Sequence, residues 1–205
     1  MKWPWSKRGR EALASPRNDR TVDPRWELFS ESWVCSTCEI LHDGLFDLSV
    51  FAPAYWSGEE VYERNSAIRM DEDFLSEDFC VLSEGHYFIR CVLELPLIGR
   101  TGRFGYGVWA SSSRENFERY VEHFNADSFG RDEGWFGWFA NDLKGYPACL
   151  KLKCDVLPQR RRQRPVISLH DDHHPLVIEQ RNGISFDRLM EIYQLNGHVR
   201  AGPAS

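Results

Sequence analysis

Apolar and polar positions are most regular between residues 79 and 109. Phe79-Cys80-Val81-Leu82, the turn Ser83-Glu84-Gly85 and the run Tyr87 to Leu95 predict a hairpin of two strands. Gly99-Arg100-Thr101-Gly102 predicts a second turn and Phe104 to Trp109 a third strand, whose glycines mark a bulge or a close backbone approach. The period then changes. Ser113 is placed to cap a helix in which Phe117, Tyr120, Val121 and Phe124 share one stripe. Trp135 to Phe139, Leu150 to Val156 and Val166 to Leu169 predict further strands. Phe186, Leu189, Met190, Ile192 and Tyr193 predict a closing helix over Ser185 to Leu195, stopped by Asn196-Gly197. Upstream, Asp23-Pro24 predicts the start of a short helix through Phe29.

Strands that cluster and connect by turns favour antiparallel pairing over β-α-β units. The expected fold is α+β, a largely antiparallel sheet with flanking helices and an N-terminal CxxC knuckle. In Trp135-Phe136-Gly137-Trp138-Phe139 both faces are aromatic, so this strand is expected to be central and covered. A wall for stacking a ligand is the other reading.

The chain has 205 residues, 42% apolar and 27% charged, which suits one domain over residues 23–198 between a basic tail at 1–22 and a flexible end at 199–205. A net charge of −6 argues against nucleic acid as partner and leaves a protein or a small molecule. The charge is uneven, since Lys2, Lys7, Arg8, Arg10, Arg17 and Arg20 crowd the tail. No apolar run approaches the ~18 residues that cross a bilayer, and the basic N-terminus precedes no hydrophobic stretch. The cytoplasm is therefore the expected location, where six Cys are thiols or metal ligands before they are disulfides.

Cys35-Ser36-Thr37-Cys38 carries the most pointed chemistry. Two thiolates at this spacing grip one Zn²⁺ from a tight turn, and a tetrahedral ion then needs two more N or S ligands. His42 is close in sequence, while His170, His173, His174, Cys80 and Cys91 are distant candidates. A redox pair is a second reading, but Glu39 to Gly44 is too short for the helix that a thioredoxin-like site needs. Two unliganded thiols are the third. His170-Asp171-Asp172-His173-His174-Pro175 is dense in donors but lacks helical spacing, and Pro175 is expected to hold it extended as a solvated loop. Glu77 and Asp78 are adjacent acids, which more often mark a solvated face than a catalytic pair.

Several of these stretches together resemble the bacterial domain-of-unknown-function family numbered 2199, over roughly residues 26 to 197. They are Trp33-Val34-Cys35-Ser36-Thr37-Cys38 with His42, Leu75 to Cys80, Phe88 to Pro96, Gly105 to Trp109 with Asn116-Phe117, and His174-Pro175-Leu176 ahead of Glu179-Gln180 and Gly183-Ile184. The resemblance implies an uncharacterised bacterial protein and brings no activity, substrate or catalytic residue. It does imply that Cys35, Cys38, His42 and His174 belong to one pattern, a Cys₂His₂-like metal site with structural zinc as the cofactor. One departure stands out. The family usually has Gly after the second Cys, a position that often needs positive φ, and this chain has Glu39.

The function expected is a non-enzymatic binding protein with a structural zinc site. The alternative is a metal-assisted hydrolase using the His170 to His174 region with Glu77 and Asp78. A third idea has the basic tail and the Arg160 to Arg164 loop touching an acidic surface.

Overall fold

The computed structural model describes residues 22–124, 126, 134–160 and 163–199. The tail at 1–21, Arg161 and Arg162 of the basic loop, and the end at 200–205 lie outside the described residues.

Asp23 accepts the N–H of Arg25 at 2.9 Å, and Pro24 takes the first helical position, where a missing N–H costs nothing. Pro24–Phe29 winds as a 3₁₀ helix and buries Trp26 and Phe29. Strands β1 (Ser32–Val34) and β2 (Leu41–Asp43) form a separate antiparallel ribbon.

The main sheet is built on the two strands either side of the second predicted turn. β6 (His86–Pro96) and β7 (Arg103–Ser112) pair antiparallel from Tyr87↔Ser112 to Pro96↔Arg103. On the inner face Ile89, Cys91, Leu93 and Leu95 meet Ala110, Val108, Tyr106 and Phe104, and all are buried. β5 (Phe79–Leu82) pairs with the first half of β6, and β4 (Phe74–Leu75) with β5. β3 (Leu48–Ser49) lies against β7, while β8 (Trp135–Trp138), β9 (Lys153–Leu157) and β10 (Val166–Leu169) extend the other side in the order β3-β7-β6-β10-β9-β8. The fold is α+β, as expected, but the sheet is mixed. β3 runs parallel to β7 and β10 parallel to β6, because long connections bring these strands in.

The sheet then curls. Ala110 bridges Phe139, and the N–H of Ala140 reaches the carbonyl of Trp109 at 2.9 Å, so its far end returns to β7. Gly137 permits the approach, since a β-carbon there would lie 2.5 Å from the Ser111 carbonyl oxygen. The expectation that this strand is central and covered is corrected. β8 ends the strand order, and Phe136 and Trp138 are 47% and 42% exposed.

Among the described residues, three α helices pack on this frame. α1 (Arg114–His123) is capped by Ser113, which accepts the Asn116 N–H at 3.2 Å, and sets Phe117 and Tyr120 against Phe79. α2 (Pro175–Asn182) falls where the sequence suggested only an extended start. Pro175 is its first residue rather than a block to helix. Buried Gln180 of α2 accepts the Leu169 N–H at 2.9 Å and donates to the Ile167 carbonyl at 2.7 Å, serving backbone groups of β10. α3 (Phe186–Leu195) starts at Ser185, as predicted, and buries Leu189, Ile192 and Tyr193.

Candidate metal centre

The turn between β1 and β2 is a knuckle. The Cys35 N–H bonds the Ile40 carbonyl, and the Glu39 N–H bonds the Cys35 carbonyl, each at 3.0 Å. Closing it this tightly needs a left-handed residue, and Glu39 takes φ +57°. The departure from glycine therefore leaves the turn intact, at a local cost of about 1–2 kcal/mol for a residue with a β-carbon.

The fully buried Cys35 Sγ is the hub of the knuckle. It accepts N–H groups from Val199, Thr37 and Cys38 at 3.3, 3.4 and 3.5 Å. Burial pushes the Cys35 thiol up. The N–H groups of Cys38, Thr37 and Val199 outweigh that and bring it down to about 7. This is the environment of a thiolate, the form that binds metal.

Val199 reaches the knuckle because of how α3 ends. The Gly197 N–H bonds the Gln194 carbonyl at 3.0 Å, and the His198 N–H bonds the Tyr193 carbonyl at 2.9 Å. With Gly197 at φ +83° this is a Schellman motif, and it fixes the direction in which the chain leaves the helix. The exit carries His198 to the thiols, and the Ser36 N–H clamps the next residue through the Val199 carbonyl at 2.8 Å.

Cys35, Cys38, His42 and His198 each offer one ligand atom, and all four atoms lie within 4.8 Å of one another. Cys38 Sγ is 3.5 Å from His42 Nε2 and 3.7 Å from His198 Nδ1. A tetrahedral Zn²⁺ with Zn–S near 2.3 Å and Zn–N near 2.0 Å sets such S···N edges at about 3.5 Å, so the donors fit that ion. Desolvation, then the neighbouring His42, hold the His198 imidazole below its ordinary pKa, which favours its neutral, ligating form. Aromatic rings support both imidazoles. His42 lies against Phe46 and beside Trp33, Phe46 stacks on Tyr193, and His198 meets the edge of Phe46.

Three of the four residues singled out by the sequence are thus brought together, and His174 is placed elsewhere. It caps α2, where its Nδ1 accepts the Leu176 N–H at 3.2 Å. His198 was missed because nothing in its spacing relates it to Cys35. The one available signal was its place directly after the Asn196-Gly197 helix stop. The other donors also disperse. His170 pairs with Asp155 at 2.8 Å, the His173 N–H bonds Asp171, and Asp78 pairs with Arg164 at 2.9 Å while Glu77 is exposed. Among the described residues, the knuckle cluster is the His/Cys/acid group gathered tightly enough for a metal.

The family model described as an uncharacterized protein conserved in bacteria (DUF2199) matches residues 34–184. The chain belongs to this family. The DUF2199 match takes in Cys35, Cys38 and His42, whereas His198 lies beyond its end. No curated protein and no solved structure matches the chain.

Proposed function

We propose that this DUF2199 chain is a non-enzymatic binding protein whose fold is stapled by a structural Zn²⁺ held by Cys35, Cys38, His42 and His198. The supporting observation is the clustering of four N and S donors from two distant segments, the β1–β2 hairpin and the exit of α3. Four protein ligands fill a tetrahedral ion, whereas a catalytic zinc keeps one position for water or substrate. The hydrolase reading draws no support from this region, where the His170 imidazole pairs with Asp155, the His174 imidazole caps α2 and the His173 backbone N–H bonds Asp171.

The binding surface we favour is the knuckle itself. Val34 and Leu41 pair across the ribbon and, with Ile40, remain exposed. Exposed apolar groups gathered on one rigid turn suit contact with a partner. None of the six cysteines forms a disulfide, in keeping with the cytoplasm. Among the described residues no helix is long and apolar enough to cross a membrane.

Zinc per mole of purified protein tests the staple, in the wild type and in Cys35→Ser. About one ion per chain is expected in the first and close to none in the second. A fully stable, metal-free wild type would remove the staple.

A further inference from the structure

The outward face of the β6–β7 pair carries Phe88, Arg90, Val92 and Glu94 from one strand and Gly105, Gly107 and Trp109 from the other. The chain after β3 folds over part of it. A second small core forms there from Leu75, Cys80, Phe88, Trp109 and Ala140, with Phe51, Trp56 and Tyr62 packed against it.

One cation is enclosed with these rings. Arg90 keeps only 6% of its surface exposed. Its Nη1 donates to the Tyr62 hydroxyl at 2.5 Å, and that hydroxyl donates onward to the Phe51 carbonyl at 2.7 Å. The guanidinium carbon lies 5.8 Å from the Tyr62 ring centroid and 5.5 Å from that of Trp109. Its Nε is buried with no acceptor.

Arginine stays charged in proteins, so this is a buried positive charge. Among the described residues Arg90 has no carboxylate within ion-pair distance. The acids around this face are spent elsewhere. Asp47 accepts the Gly105 N–H at 2.8 Å, Asp78 pairs with Arg164 at 2.9 Å, and Glu94 pairs with Arg103 at 3.4 Å. Two aromatic faces offset part of the desolvation of a guanidinium, but they do not replace a counter-ion.

We infer that Arg90 anchors an anion-binding site that takes the carboxylate or phosphate group of a small molecule beside Tyr62 and Trp109. The guanidinium fork matches either oxyanion, and the unpartnered Nε is the donor that such a group would satisfy. Gly107 leaves the neighbourhood of Nε without a side chain from β7, since a β-carbon there would lie 3.7 Å from it. Ser49 of β3, itself exposed, lies over Gly107, with its β-carbon 2.9 Å from where a Gly107 β-carbon would stand. Residues 50–62, which form neither helix nor strand, supply Phe51, Trp56 and Tyr62 to the cover over this face. The site shares no residue with the zinc knuckle.

The test uses the full chain at constant ionic strength, titrated with inorganic phosphate and, separately, with benzoate, against sodium chloride. Thermal midpoint and tryptophan fluorescence are read for the wild type, Arg90→Met and Arg90→Lys. The wild type should show a saturable rise in midpoint and a fluorescence change from Trp109. Arg90→Met should bind at least tenfold more weakly, yet melt no lower than wild type in chloride alone. If Arg90→Met does not fold, Arg90→Lys carries the comparison, because it keeps the charge and loses the fork. A response to phosphate alone, or to benzoate alone, assigns the anion. No response to either probe, or an equal response in wild type and variants, overturns the site.

Discussion

The imidazole of His42 lies flat on the ring of Phe46, with centroids 4.0 Å apart and planes 10° from parallel. Phe46 is stacked in turn on Tyr193 at 4.5 Å, and the Tyr193 hydroxyl donates to the Phe46 carbonyl at 2.6 Å. The imidazole of this candidate ligand is thereby oriented by a ring that has no donor atom of its own. Phe46→Leu should keep the four ligands but weaken zinc binding by about 10–100-fold, the usual effect of losing a residue that orients a ligand. Competition with a chromophoric chelator measures it, and an unchanged affinity would mean that the stack does not position His42.

His198 and His174 separate cleanly by substitution. His198→Ala should abolish stoichiometric zinc. His174→Ala should keep it and lose about 0.5–1 kcal/mol of stability through the missing helix cap. Metal analysis of both variants decides between them, and zinc lost only from His174→Ala would reverse the assignment.

Glu39 occupies a left-handed position at φ +57°. Glu39→Gly should raise stability by about 1 kcal/mol, because glycine adopts that conformation without steric cost. A higher urea midpoint at unchanged slope is the expected result.

Gly137 faces the Ser111 carbonyl where β8 returns to β7. Gly137→Ala should cost about 1–3 kcal/mol, as overpacking against rigid backbone does. A neutral outcome would show that the two strands separate easily.

Gln180 serves two backbone groups of β10 from a buried position. Gln180→Leu should cost about 1–3 kcal/mol for each group left unpaired. Hydrogen exchange at the Leu169 amide should rise with it.

Where local chemistry decides structure, the sequence was legible. Asp23, Ser113 and Ser185 cap the elements that follow them, and the alternation of Tyr87 to Leu95 marks β6 with its inward face. The remainder depends on distant partners. Pro175 fits a helix start as well as an extended segment, and the side chains of α2, such as Gln180, acquire their roles only beside β10. The parallel placement of β3 and β10 has no local signature. Aromatics on both faces of β8 suggested a covered strand, but Phe136 and Trp138 stay exposed. In the candidate metal centre the knuckle is local and was visible, while His198 arrives through the exit angle of a helix about 160 residues away.

That separation bears on synthesis. Cys35, Cys38 and His42 leave the ribosome about 160 residues ahead of His198, or about 8–30 s earlier at bacterial elongation rates. Throughout that interval the nascent chain carries three of the four candidate ligands. A zinc ion captured early would stay exchangeable, and His198 would lock it in place only after the β strands and helices between them had been made. With zinc in the proposed site, metal retention would be a readout of translation having passed the last helix, and a chain released early would surrender the ion to any competing chelator.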